Sequence, residues 1–310
     1  GLALATDGNG RWCQLNPKVG AMHAVAEAAR NVATSGARPI AATNCLNFGS
    51  PEKPEVMWQF SQAIDGITEA STALGTPITG GNVSFYNETL GKSIYPTPVI
   101  GILGILEDAS KTLKVAFRNP GDVIVLLEGS QANCHSERSE ESAFSSSALA
   151  REFSSSEYSK SIARIVAGEP PAIDLAAEKR LIDCLVSLAS AGILQSAHDV
   201  SDGGLAVTLA ESCFATKGLG AAVSLAENAP RELALFGERG ARCVVSVSLA
   251  NLAAVLATAR QYGVEARELG KVTRDAALRI EFQGHAAIDS PLDDLRDVWA
   301  NSLERLVARQ

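Results

Sequence analysis

The sequence predicts an α+β protein of two domains, and three observations point there. Its 310 residues are enough for roughly two domains of ordinary size, each with its own core. Apolar residues recur at helical spacing in some stretches and as short strand-like runs in others, with Gly and Pro at the boundaries. The texture also changes along the chain: residues 1–118 alternate helix with strand and hold most of the Asn and Pro, whereas 119–310 is richer in helix.

The elements follow in order. GLALATDGNGRW opens at Gly1 in what reads as mid-strand, so we expect a piece cut from a longer polypeptide. In NPKVGAMHAVAEAARNVATSGARP, Met22, Val25, Ala29 and Val32 recur at helical spacing, and Gly36 and Pro39 end the segment. TNCLNFGSPEKPE reads as a loop. PEVMWQFSQAIDGITEASTALG gives a second helix, striped by Phe60, Ile64, Ile67 and Leu74 and stopped by Gly75. TPITG and PTPVIGILGIL are strands; the run VIGILGIL is less than half of the roughly 20 residues that cross a bilayer, so it is a buried strand.

GDVIVLLEG opens the second domain. CHSERSEESAFSSSALAREFSSS, residues 134–156, is rich in Ser and Glu and cannot bury enough surface to offset its ordering entropy, which predicts a mobile surface loop. AIDLAAEKRLIDCLVSLASAG and GGLAVTLAESCFA are helices, ARCVVSVSL is a strand, and NLAAVLATARQYG followed by VEARELGKV is helix then strand.

Composition excludes several classes. With 46% hydrophobic and 20% charged residues the chain is globular rather than disordered. Its net charge is −8, from 27 Lys and Arg against 35 Asp and Glu, and the basic residues are scattered, which argues against nucleic-acid and anionic-membrane partners. An anionic ligand must then be held locally, by backbone amides or metal ions. Six cysteines without CxxC spacing predict reduced thiols of a cytoplasmic protein.

Three clusters could carry chemistry, each with a plainer reading beside it. His23, Glu27 and Asn31, at i, i+4 and i+8, share one helix stripe that is either a solvated face or, given its alanine and valine neighbours, a partly buried ligand-facing one. In SAHDVSDGGLAVTLAES, Ser201 or Asp202 could cap the following helix; alternatively its free amides meet a phosphate while Asp199 holds a divalent metal. In TPITGGNVSFYNET, Gly80 and Gly81 let backbone approach a ligand, Asn82 offers a carbonyl oxygen to a hard cation and Ser84 a hydroxyl; a Gly-Gly-Asn hairpin turn is the alternative. Neither a P-loop nor a dinucleotide fingerprint is present.

ATDGNGRW, VAEAARNVATSGARPIAATNCLNFGSPEKPE, GGNVSFYNET, YPTPVIGILG, GDVIVLL and HDVSDGGLAVTLAE, in this order, resemble the C-terminal half of the phosphoribosylformylglycinamidine synthase family, in its small-form synthetase subunit. The resemblance spans nearly the whole chain outside 134–156. It implies an aminoimidazole ribonucleotide synthetase-like fold, with an N-terminal αβ domain (1–118) that pairs into a barrel and a C-terminal α+β domain (119–310). It implies ATP and Mg2+ acting on formylglycinamide ribonucleotide, whose amide oxygen is activated, as an iminophosphate, before ammonia displaces phosphate. The implied partners are the N-terminal half of the synthetase, a glutaminase subunit and a small accessory subunit.

Carried over by residue, Gly81 resembles a nucleotide contact, Asn82 a magnesium ligand and Ser84 a substrate contact. Asn44 falls where relatives can carry an ATP-contacting aspartate, and the change removes a negative charge. Asp7, Glu27, Asn31 and Asp199 resemble magnesium ligands, and Ser201 a nucleotide contact, of an auxiliary nucleotide site. The catalytic histidines are expected in the N-terminal half, so no catalytic residue is assigned and the chain is expected to be inactive alone. A relative such as aminoimidazole ribonucleotide synthetase, or a non-catalytic nucleotide-binding half, is the alternative.

Overall fold

The computed structural model describes residues 1–129, 149–216 and 218–308. The first part is built on a four-stranded sheet of β1 (Leu2–Asp7), β2 (Arg38–Asn47), β3 (Ile78–Ser84) and, after a short hairpin of β4 (Glu88–Thr89) and β5 (Lys92–Ser93), β6 (Thr97–Ile105). The strands lie in the order β1-β6-β2-β3; β6 runs antiparallel to both neighbours and β2 parallel to β3. Helices α1 (Gly10–Leu15), α2 (Pro17–Thr34) and α3 (Pro54–Leu74) complete it. Asn16 caps α2 by accepting from the Val19 amide, with Pro17 in the first turn, and Gly75 ends α3 at φ 71°, a left-handed position that glycine occupies without a Cβ penalty.

The second part is a seven-stranded sheet of β7 (Val123–Gly129), β8 (Leu194–Asp199), β9 (Gly220–Leu225), β10 (Arg242–Val247), β11 (Val264–Thr273), β12 (Ala277–Phe282) and β13 (His285–Pro291). Around it lie α4 (Leu175–Ser190), α5 (Gly204–Phe214), α6 (Arg231–Phe236), α7 (Leu252–Gln261), α8 (Leu292–Ala300) and α9 (Ser302–Val307). Val123, Val125 and Leu127 point to one face of this sheet and Ile124 and Leu126 to the other, the period-2 alternation of a strand buried on both sides. The first face shares one core with α2, α3 and α4, so α2 is sandwiched between the two sheets. That explains its alanine-rich sequence: small side chains let helix and sheets approach closely. No helix among the described residues is long and apolar enough to cross a membrane.

Several expectations change. TNCLNFG is not a loop as far as Asn47: Asn44 and Asn47 belong to β2, an inner strand hydrogen-bonded to β6 and β3, and these neighbours override the low strand propensity of Asn. The Gly-Gly-Asn stretch is not a hairpin turn either, because Gly80, Gly81 and Asn82 all lie within β3. Of the segment 134–156, residues 134–148, with Cys134 and His135, lie outside the described residues. The remainder is not a solvated loop: Ser155 and Ser156 are buried, and the Arg11 guanidinium and Trp12 indole both donate to the Ser155 carbonyl. The five described cysteines are free thiols.

Candidate nucleotide and cation sites

The register of the first sheet sorts the candidate residues. Asp7 pairs with Ile100, Ile100 with Asn44, and Asn44 with Gly81, so β1, β6, β2 and β3 each contribute one position to a single row. Directly paired residues point to the same face, and buried Ile100 marks it as the helix-covered one. A Cβ on Gly81 would collide with the side-chain oxygen and the carbonyl of Asn44, so glycine is required by the close approach of the two strands. Asn82 and Ser84 alternate to the opposite, open face, where Asn82 is exposed. Ser84 is half-buried, and its hydroxyl accepts from Asn87 Nδ2 at 3.1 Å. The open face carries Leu2 at 77% and Leu4 at 69% exposure, an apolar surface that no element among the described residues covers.

A second cluster joins both sheets across α2. Asn31 Nδ2 donates to Asp7 Oδ2 at 3.1 Å, bridging α2 to the end of β1. Asp199 stands at the end of β8, buried, with its Oδ2 lacking a hydrogen-bond partner and 3.7 Å from the Arg30 guanidinium. Arg30 is itself buried and donates to Glu178 Oε1 at 2.6 Å, and the same oxygen accepts from the Ala241 amide. Burial works against the Arg30 charge, but Glu178, Asp199 and Glu27 outweigh it and hold the group cationic. Glu27 lies among these groups: burial first, and the Asp199 charge second, push its carboxyl well above the usual range. Asp7 is pushed up to about 6, again by burial above all, with the Asn31 hydrogen bond opposing and Asp199 reinforcing.

Asp7, Glu27, Asn31 and Asp199 are therefore brought together. Their carboxylates repel one another in a partly dry site, the electrostatic condition a cation relieves. Among the described residues, however, no three His, Cys, Asp or Glu side chains are close enough to enclose a metal on their own. Such a donor set fits a hard cation shared with phosphate oxygens and water, the usual way magnesium is held, and not an all-protein cage.

The neighbouring turn is less open than its sequence suggests. Neither Ser201 nor Asp202 caps α5; Gly203 occupies the cap at φ 79°, and its amide donates to Glu238 Oε1 at 2.9 Å. The Gly204 amide is taken by the Ser201 carbonyl at 2.9 Å, so two donors expected to face a phosphate are already satisfied internally. A Cβ on Gly204 would meet the Phe236 and Gly237 backbone, which accounts for the second glycine. Asp202 lies 3.7 Å from Arg11, which also pairs with Glu157 at 2.6 Å and Glu238 at 3.4 Å. Burial raises the Glu238 carboxyl to about 7, and the Gly203 hydrogen bond opposes it. His23 leaves the polar stripe: it is buried, tilted against Trp12 with ring centroids 4.6 Å apart, and its Nε2–H donates to the Pro171 carbonyl at 2.7 Å.

Arg30, Glu178 and Glu211 escape sequence reasoning because their partners are far away in the chain. The one available signal is Arg30 itself, a charge between Glu27 and Asn31 in an otherwise alanine-rich helix. His198, beside Asp199, contacts Asp199 Oδ1 at 3.3 Å and Glu211 Oε2 at 3.0 Å. Burial opposes its charge, but these two carboxylates raise its pKa to about 9.

Comparison with known proteins agrees with this architecture. The family model described as AIR synthase related protein, N-terminal domain, matches residues 1–106, and its C-terminal domain counterpart matches residues 119–283. Phosphoribosylformylglycinamidine synthase subunit PurL of Moorella thermoacetica is 43% identical over 309 residues, covering 100% of this chain but 39% of that protein. The subunit of the same name from Thermobifida fusca is 46% identical, covering 99% of this chain and 37% of that protein. The chain thus spans about two fifths of the length of the curated relatives it matches. The solved structure of T. maritima PurL complexed with FGAR shares the fold with a TM-score of 0.76 at 21% identity, covering 95% of this chain and 46% of that one. T. maritima PurL complexed with ATP gives 0.73 at 20% identity, covering 95% and 44%, and a HypE-HypF complex gives 0.64 at 15% identity, covering 94% and 90%. Two matched domains, side by side along the chain and each carrying its own sheet, lead to one conclusion: the chain belongs to the AIR synthase related protein family.

Proposed function

We propose that this chain is the C-terminal half of a phosphoribosylformylglycinamidine synthase synthetase subunit, an ATP-dependent carbon-nitrogen ligase of purine biosynthesis. The observation that carries the reading is the convergence of Asp7, Glu27, Asn31 and Asp199 from β1, α2 and β8, with Asp7 at the β1 end of the row that holds Asn44 and Gly81 on β2 and β3. Identity above 40% along the entire chain to relatives of that name supports it, as do the PurL structures titled with ATP and FGAR. ATP with magnesium supplies the activation of the amide oxygen of formylglycinamide ribonucleotide, so that ammonia can displace phosphate and leave the amidine.

In this reading Asp7, Glu27, Asn31 and Asp199 hold magnesium against nucleotide phosphates, with Ser201 a nucleotide contact. Asn44 and Gly81 contact ATP across the β2–β3 edge, Asn82 offers a magnesium ligand, and Ser84 touches the substrate. Asn82 and Ser84 face the open side of the sheet, so the opposite wall of their site comes from the N-terminal half, which closes a barrel over the exposed apolar strands. The glutaminase and accessory subunits deliver ammonia. The 310-residue chain given ATP, magnesium, ammonia and formylglycinamide ribonucleotide is expected to form no amidine, and joining it to the N-terminal half is expected to restore turnover. Amidine made by the chain alone would contradict this. A second reading, a nucleotide-binding half that only stabilises its partner, draws on the buried Arg30–Glu178 pair; nucleotide binding without restored turnover in the joined protein would favour it.

A further inference from the structure

A chain of polar contacts starts at Asp199 and ends on a helix remote in sequence from every candidate site residue. His198 places Nδ1 3.3 Å from Asp199 Oδ1 and Nε2 3.0 Å from Glu211 Oε2. Both partners are carboxylate oxygens, which accept, so the ring donates from both nitrogens. Glu211, on α5, uses its other oxygen to accept from the Trp299 indole N–H of α8 at 3.0 Å. The Trp299 ring packs on Phe214, with centroids 5.5 Å apart, which fixes the direction of that donor. The backbone is held as well: Thr208 Oγ1 donates to the Asp199 carbonyl at 3.2 Å.

The consequence falls on Asp199. Its Oδ1 is turned toward His198, while the buried Oδ2 has no hydrogen-bond partner and lies 3.7 Å from the Arg30 guanidinium, the side from which a bound cation would have to approach. A carboxylate with one oxygen held by His198 and the other lacking a hydrogen bond is oriented, which lowers the entropy it loses on ligation. A contact that served only to join β8 to α5 would not need to end on the side chain of the candidate ligand.

We propose that His198 is a positioning residue: it bridges Glu211 and Asp199 and so fixes the Asp199 carboxylate for cation binding, with Trp299 extending the brace to α8. The inference rests on reading Asp199 as a cation ligand. It assigns α8 a part in the site, although that helix lies beyond the matched C-terminal domain, which ends at residue 283.

The test measures Mn2+ binding by electron paramagnetic resonance in saturating ADP, alongside the melting temperature without ligands. Asp199→Asn is expected to abolish binding. His198→Gln and Glu211→Gln are expected to weaken it about tenfold, the usual scale for partners of a metal ligand, with unliganded melting close to that of the parent. Trp299→Phe keeps the ring against Phe214 and removes the N–H, and is expected to weaken binding by less than Glu211→Gln does. Glu211 is partly exposed, so its variant keeps the test alive should His198→Gln fold poorly. Parent-like affinity in His198→Gln and Glu211→Gln, with Asp199→Asn inactive in binding, overturns the brace and leaves the site intact. Affinity that falls only in step with unliganded melting overturns it too, as a merely structural contact. A parent chain that binds no Mn2+ with ADP removes the site, and the brace with it.

Discussion

At the scale of single residues, two adjacent glycines separate packing from conformation. A Cβ on Gly80 meets nothing within 4 Å, whereas one on Gly81 runs into Asn44. Gly80→Ala should therefore change stability by less than about 0.5 kcal/mol, and Gly81→Ala should lose about 1–3 kcal/mol by overpacking. Chemical denaturation reads both, and equal effects would remove the claim that β2 and β3 approach too closely for a side chain. Asn82→Ala, on the open face, should leave folding alone. In the joined enzyme it should lower turnover at limiting magnesium and recover with excess; kinetics unchanged across the magnesium titration would remove its metal role.

His23 supplies a pH dependence of folding. Burial above all, with Arg30 adding to it, depresses its pKa from 6.5 to about 4, although the Pro171 hydrogen bond opposes. The unfolded chain then binds a proton that the folded chain refuses between these values. Stability from this group is complete above pH 6.5 and declines as pH falls toward 4, by about 3 kcal/mol in all. Melting at pH 7.5 and pH 5 should differ more in the parent than in His23→Gln; identical differences would contradict it. The sequence showed His23 on a polar stripe with Glu27 and Asn31, and it left open whether that stripe was solvated. Only the packing of Trp12 and Pro171, distant in the chain, decides that His23 turns inward while Glu27 and Asn31 meet Asp7 and Asp199.

At the scale of elements, α2 is the hinge of the account because it contacts both sheets. Its Arg30 pairs with Glu178 of α4 with neither side chain exposed by more than 2%. Removing one member of a buried pair strands the other, so Arg30→Met should cost about 3–5 kcal/mol, and Arg30→Met with Glu178→Gln should recover part of it. Urea denaturation of the single and double variants measures the coupling; purely additive losses would mean the pair acts independently. Helices were legible because the 3.6-residue stripe and a terminal glycine are local signals, as with Gly75 closing α3. Strand β2 was not, since its Asn-rich end matches a loop and only pairing with β6 and β3 makes it a strand. Residues 149–156 misled for the opposite reason: serine favours solvent on average, yet here Ser155 lends its carbonyl to Arg11 and Trp12.

At the scale of the molecule, two sheets share the core around α2, and the candidate cation site lies where the ends of β1 and β8 meet that helix. The resemblance carried by the ordered motifs named the fold and the candidate residues together. The split of Asn44 and Gly81 from Asn82 and Ser84 onto opposite faces was hidden, since it depends on sheet register. The most direct measurement is the melting temperature of the 310-residue chain with and without ADP and magnesium, in the parent and in Asp199→Asn. Nucleotide at about a hundred times its dissociation constant stabilises by about 2.7 kcal/mol, so the parent should gain roughly 5 °C only when both ligands are present, and Asp199→Asn should gain none. No gain in the parent, or an equal gain in Asp199→Asn, would contradict a cation-bridged nucleotide at this site.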